Sequence, residues 1–175
     1  MKKVLQRRIT LIALLFAIVS SIVIIATSID SSSEGMMIGE EAINLHLEDE
    51  NGHLQSLEQY KGKTIILNFW ASWCDICIDE MPDLISMYEH NKEKDVVIIG
   101  INRTTTEITK ERAYESIEEL QINFPILFDL EDEASQMYQV VYLPKTVIID
   151  KDFKVRNQFE GKVTEEMLAL MIEEL

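Results

Sequence analysis

The chain has two cysteines, Cys74 and Cys77, in a single Cys-Asp-Ile-Cys motif. Two thiols three positions apart can close a disulfide and exchange it with a partner. The stretch before them, Thr64-Ile-Ile-Leu-Asn-Phe-Trp70, is apolar enough for a strand buried on both faces. Residues 75–91 after them carry Met81, Leu84, Ile85 and Tyr88 on one helical stripe, with Pro82 expected to kink it. The pair therefore stands where a buried strand gives way to a helix. A thiol at that point meets backbone N–H groups and the positive end of the helix dipole, which favours its thiolate. This context reads as a redox motif. Structural zinc needs four ligands, but there is no second Cys pair and His46, His53 and His90 are scattered. A purely structural disulfide would close a loop too small to constrain much of the unfolded chain. These residues call for no metal and no cofactor.

The elements around the pair follow from pattern. Leu45 and Leu47 alternate with His46 and Glu48, Asn51-Gly52 signals a hairpin turn, and Leu54–Leu57 resumes the apolar content. Further strands are expected at 96–101, 126–128, 146–150 and 154–159, the last on a sheet edge. Helices are expected at 106–120, 132–138 and 164–174, with Thr164 as N-cap. Strands alternating with helices and ending in a hairpin predict an α/β fold, a mixed central sheet with helices on both faces.

Two segments carry a family resemblance. Phe69-Trp70-Ala71-Ser72-Trp73-Cys74-Asp75-Ile76-Cys77 resembles the active-site segment of the thioredoxin superfamily. Tyr142-Leu143-Pro144-Lys145-Thr146, with its proline 67 residues beyond Cys77, resembles the cis-proline loop of that fold. A cis X-Pro bond there exposes the preceding backbone to a partner peptide. With the N-terminal hairpin and a β-α insert at 121–138, residues 36–175 resemble the membrane-anchored ResA/TlpA group. Those proteins are thiol-disulfide oxidoreductases that serve cytochrome c maturation. The resemblance implies that Cys74 is the attacking thiol and Cys77 the resolving one, joined as the redox-active disulfide. It also implies that Trp73, Leu143 and Pro144 meet the substrate.

The chain departs from relatives at two positions. Ile76 stands where many have Pro, and Asn68 stands where thioredoxin has a buried Asp; an amide cannot take up a proton there. Glu80 is the expected substitute. It lies three residues after Cys77 and so shares that helix face, and the ResA-like group has a cleft Glu at this position. A carboxylate near both sulfurs would raise their pKa and could carry a proton between them.

Charge divides the chain. Lys2, Lys3, Arg7 and Arg8 precede an uncharged run, Ile9–Ile29, of 21 residues. About 20 apolar residues cross a bilayer as a helix, and the positive flank places the N-terminus in the cytoplasm. The run exceeds the 7–15 residues of a signal-peptide core, and its cleavage match is weak. No Cys follows it to take a lipid. Residues 1–29 thus read as a basic head and signal anchor, 30–35 as a flexible tether, and 36–175 as an extracytoplasmic thioredoxin-like domain.

Residues 30–175 hold 12 basic and 31 acidic side chains, a net of −19, which excludes nucleic acid as the main partner. Gly62-Lys63-Thr64 ends like a P-loop, but position 57 is Leu, not Gly. The expected function is reduction of partner disulfides. The resemblance implies that these are the haem-binding cysteines of apocytochrome c, with a transmembrane thiol shuttle as electron donor. The alternatives are an oxidase of secreted proteins, a reductase in spore envelope assembly, a non-enzymatic cytochrome assembly factor and a peroxiredoxin. The last usually has Thr three residues before its Cys, where this chain has Ala71.

Overall fold

The computed structural model describes residues 18–20, 38–92, 94–173 and 175. The chain divides into two units, 1–34 and 35–175. Of the first, residues 18–20 are helical. The rest of the apolar run at 9–29 and the tether lie outside the described residues. Among the described residues no helix is long and apolar enough to cross a membrane.

The second unit is built on a seven-stranded mixed sheet. Its strands are β1 (His46–Asp49), β2 (Leu54–Ser56), β3 (Thr64–Trp70), β4 (Val96–Asn102), β5 (Ile126–Phe128), β6 (Lys145–Ile149) and β7 (Val155–Glu160). The spatial order is β2-β1-β5-β4-β3-β6-β7. Strands β3, β4 and β5 run parallel, β6 lies antiparallel beside β3, and the β1–β2 hairpin pairs with β5. The hairpin turns at Asn51-Gly52 as expected, and Gly52 has φ +76, which glycine adopts without steric cost.

Period-2 alternation divides β3 between two cores. Ile65, Leu67 and Phe69 face one, while Ile66 and Trp70 face the other. Each fully buried Ile, Leu or Phe stabilises the fold by about 1.5–3 kcal/mol. Asn68 sits between Ile66 and Trp70, opposite Gly100 of β4 and Thr146 of β6. A polar side chain is thereby aimed into an apolar layer.

Three helices supply buried residues to that layer: α1 (Asp75–Asn91), α2 (Lys110–Glu119) and α4 (Glu165–Glu173). The opposite face is covered by the short α3 (Glu133–Met137), a 3-10 turn at Leu57–Tyr60 and the segment carrying Ala42 and Leu45. Helix α1 runs unbroken through Pro82, although Pro82 has no N–H to offer. The expected Thr164 cap is present, its Oγ1 accepting from the Met167 amide at 3.2 Å.

The helix expected at 106–120 starts only at Lys110. Ahead of it the threonines bond locally instead, Thr104 Oγ1 to the Asn102 carbonyl and Thr106 Oγ1 to that of Arg103. Such bonds, with β-branched stiffness, compete with helix. A 3-10 turn at Thr104–Thr106 results, and Glu107 is left free to reach elsewhere.

Candidate active site

Strand β3 ends at Trp70, and the chain turns through Ala71-Ser72-Trp73 into α1. Cys74 is the N-cap of that helix, with its sulfur 3.2 Å from the Cys77 amide. The two cysteines form a disulfide with an S–S distance of 2.07 Å. Cys74 is 7% exposed and Cys77 is 0% exposed, so of the two residues only Cys74 keeps any open surface. In the reduced pair, first-turn amides and the helix dipole would favour a thiolate at Cys74.

The Leu143–Pro144 peptide bond is cis. Lys145 pairs with Phe69, so Pro144 stands at the end of the sheet where β3 leads into the cysteines. Pro144 is buried and Leu143 half-buried, and Leu143 packs against both cores. Lys145 is buried beneath this loop, its Nζ donating to the Gln139 carbonyl at 3.2 Å. Trp73 is about half exposed and donates from Nε1 to Thr106 Oγ1 at 3.2 Å.

Glu80 is fully buried, one turn beyond Cys77 on the inner face of α1. Its Oε1 accepts from Asn68 Nδ2 at 2.7 Å and its Oε2 from the Val163 amide at 2.9 Å. Burial pushes the carboxyl up to about 7, against these two hydrogen bonds and the Lys162 charge, which act the other way; Asp83 adds to the rise. Glu80 is therefore poised to take or give a proton near neutral pH.

A second carboxylate holds the loop itself. Glu107 accepts from the Ser72 amide at 2.7 Å, from the Ser72 hydroxyl, and from Asn102 Nδ2 at 2.8 Å. The Arg103 amide donates to the Trp70 carbonyl at 2.9 Å. The Arg103 guanidinium pairs in bidentate fashion with Asp132 at 2.7 and 3.0 Å and reaches the Val140 carbonyl at 3.3 Å. One strap, 103–107, thus braces both the cysteine loop and the segment leading to Pro144. Glu107→Ala should cost about 1–3 kcal/mol in urea unfolding, because the Ser72 groups lose their acceptor. It should also speed hydrogen exchange at the Ser72 amide. Unchanged exchange there would mean the carboxylate does not hold the loop.

Sequence reasoning singled out Cys74, Cys77, Glu80, Trp73, Leu143 and Pro144. The structure places Glu80 on the buried helix face with Cys77, and Trp73 beside Cys74. Leu143 and Pro144 lie in the bend that leads into β6, the strand beside β3. Reasoning from residue types missed Ser72, Glu107, Arg103 and the Val163 amide, and it treated Asn68 only as a lost proton acceptor. Ser72 lies within the segment that carries the resemblance, but nothing in that segment marks its side chain, and no local motif marks the others. Among the described residues no group of three or more His, Cys, Asp or Glu is placed to hold a metal.

A Cys-x-x-Cys disulfide at a helix N-terminus, set on this sheet beside a cis-proline loop, is the arrangement of a thioredoxin-fold thiol-disulfide oxidoreductase. The AhpC/TSA family model matches residues 38–158, and the chain belongs to that family. It is similar to the thiol-disulfide oxidoreductase ResA of Bacillus cereus, 37% identical over 138 residues, 79% of this chain and 78% of that one. The ResA of Geobacillus kaustophilus is 31% identical over 171 residues, 97% of each chain. Among solved structures, the pneumococcal exposed lipoprotein thioredoxin of Streptococcus pneumoniae has a TM-score of 0.68 at 26% identity. That match covers 76% of this chain and all of the other.

Proposed function

We propose that this protein is a membrane-tethered, extracytoplasmic reductase of partner disulfides, and that its substrate is the Cys-x-x-Cys-His haem site of apocytochrome c. The observation that carries the reading is the pairing of Cys74, which keeps some open surface, with a fully buried Cys77 and a buried carboxyl one turn away. In the reduced protein, Cys74 thiolate attacks one sulfur of the partner disulfide. That bond breaks as the Cys74–partner bond forms, and the second partner sulfur leaves as a thiolate. Cys77 then gives its proton to Glu80 and attacks Cys74. The remaining partner thiolate leaves, and the Cys74–Cys77 bond closes. The partner gains two electrons, one proton passed on from Glu80 and one from water, and the pair loses two electrons. A transmembrane thiol shuttle would return them, since the outside of the cell is oxidising.

Haem attachment needs two free thiols in a compartment that oxidises them, and a tethered reductase resolves that conflict. The likeness to the Geobacillus protein runs over 97% of each chain, so it takes in the apolar N-terminal run as well as the domain. The protein should stay with membranes through alkaline washing, and protease outside wall-stripped cells should digest residues 30–175. A soluble form starting near Ser28 would mean the run is cleaved.

A strain lacking the protein should lose covalently bound haem. Added small-molecule thiol, or loss of the cell's extracytoplasmic oxidase, should restore it. Normal cytochrome c, with secreted disulfide proteins left reduced, would replace this reading with an oxidase.

A further inference from the structure

We propose that Asn68 is a positioning residue for Glu80, its side-chain amide donating to the carboxylate and turning over to accept from the carboxylic acid. This goes one step beyond the proton-carrier reading of Glu80 and rests on it.

Asn68 is fully buried, and its backbone is held in the sheet between Gly100 and Thr146. Its Nδ2 lies 2.7 Å from Glu80 Oε1 and 3.3 Å from Thr146 Oγ1. Its Oδ1 is buried with no hydrogen-bond partner among the described residues. With the carboxylate ionised, this orientation is forced, because a carboxylate only accepts.

The proton has one place to go. Oε2 receives the Val163 N–H at 2.9 Å, a backbone donor that cannot become an acceptor. The acid proton is therefore best placed on Oε1, which faces Asn68, leaving Oε2 as the carbonyl that accepts from Val163. Two donors then point at each other unless the amide turns. Rotation about the last side-chain torsion, which is soft for Asn, brings Oδ1 to Oε1. The same rotation gives Thr146, whose hydroxyl can donate or accept, a new acceptor. The atom left unpartnered beside the carboxylate becomes the acceptor for both neighbours beside the acid, and Nδ2 takes its former place, so the two new bonds must outweigh donors that face no partner there. Leucine at position 68 would serve neither state, and aspartate would repel the carboxylate. The other charged groups acting on Glu80 are Lys162, at the approach to α4, and Asp83, on α1. Both stay in place whichever way the amide points.

The test uses the full-length oxidised protein carrying 13C-labelled glutamate carboxyls and 15N-labelled asparagine. The Glu80 signal is identified by its loss in Glu80→Gln. In Asn68→Leu both bonds are lost, and because the charge-assisted bond to the carboxylate is the stronger of the two, the Glu80 midpoint should still rise, by about one pH unit. Asn68→Ala should shift it the same way. In the unaltered protein the Asn68 side-chain amide signals should move with the Glu80 midpoint. An unmoved midpoint in folded variants would overturn the inference. So would Asn68 amide signals that do not follow Glu80, a readout that stands even if both variants fail to fold. If Asn68 and Glu80 titrate together but Glu80→Gln keeps full activity, the catalytic reading of Glu80 fails and this inference survives. If Glu80→Gln is slow and the Asn68→Leu midpoint is unmoved, this inference fails alone.

Discussion

Cys77→Ala should turn a cycling enzyme into one that reacts once and stops. Of the two cysteines only Cys74 keeps any open surface, at 7% exposed, and it caps the helix whose dipole favours its thiolate. Without Cys77 nothing resolves the bond that Cys74 makes to a partner. Mixed disulfides should accumulate in Cys77→Ala, turnover should vanish, and Cys74→Ala should trap nothing. Capture from membranes followed by mass spectrometry should identify apocytochrome c among the trapped chains. In the reduced protein Cys74 should alkylate faster than Cys77, which is fully buried. Mixed disulfides on Cys77 in a Cys74→Ala protein would reverse the two roles.

Glu80→Gln should give the second largest effect, in two separable ways. Positioned proton carriers contribute about 10²–10⁴-fold to rate, so turnover should fall by about a hundredfold or more while the domain stays folded. The apparent thiol pKa values should fall, because a nearby negative charge is gone. They belong to the coupled set of two thiols and a carboxyl.

Stability supplies the other readout. In the folded oxidised protein Glu80 is pushed from an ordinary 4.5 up to about 7, so folding favours its protonated form. The stability this adds is complete below about pH 4.5 and is lost as pH rises through about 7. At 1.36 kcal/mol per unit the loss is about 3 kcal/mol. The difference between Glu80→Gln and the unaltered protein in urea unfolding should change by about that much across this range, in favour of the Gln variant at high pH. A flat difference, together with full activity, would make Glu80 an ordinary helix carboxylate.

The strands and first helix were legible because their signal is local. Thr64–Trp70 is apolar on both faces, and Met81, Leu84, Ile85 and Tyr88 mark one face of the helix. The start of the second helix was not, because side-chain hydroxyls of Thr104 and Thr106 took backbone partners that helix periodicity does not report. Cys74 and Cys77 could be picked out by their spacing and setting, and Glu80 by its place on the Cys77 helix face together with the family resemblance.

Their supports could not. Asn68 is 12 residues from Glu80 in sequence, and only strand register with helix packing brings them together. Val163 contributes a backbone N–H from 83 residues away, and its residue type carries no hint of that. Glu107 grips Ser72 from 35 residues away through a strap with no motif. Residue type also misled at Asn68, where losing an acid suggested losing a role.

Reduction is the central claim, and one equilibrium tests it most directly. The reduced full-length protein is mixed with a disulfide-closed Cys-x-x-Cys-His peptide at neutral pH, quenched with acid and alkylated, and all four thiols are counted by mass spectrometry. The account predicts that the peptide thiols open while the Cys74–Cys77 bond closes, with the balance lying well toward reduced peptide. A protein whose disulfide instead oxidises the open peptide, leaving Cys74 and Cys77 as thiols, would contradict it.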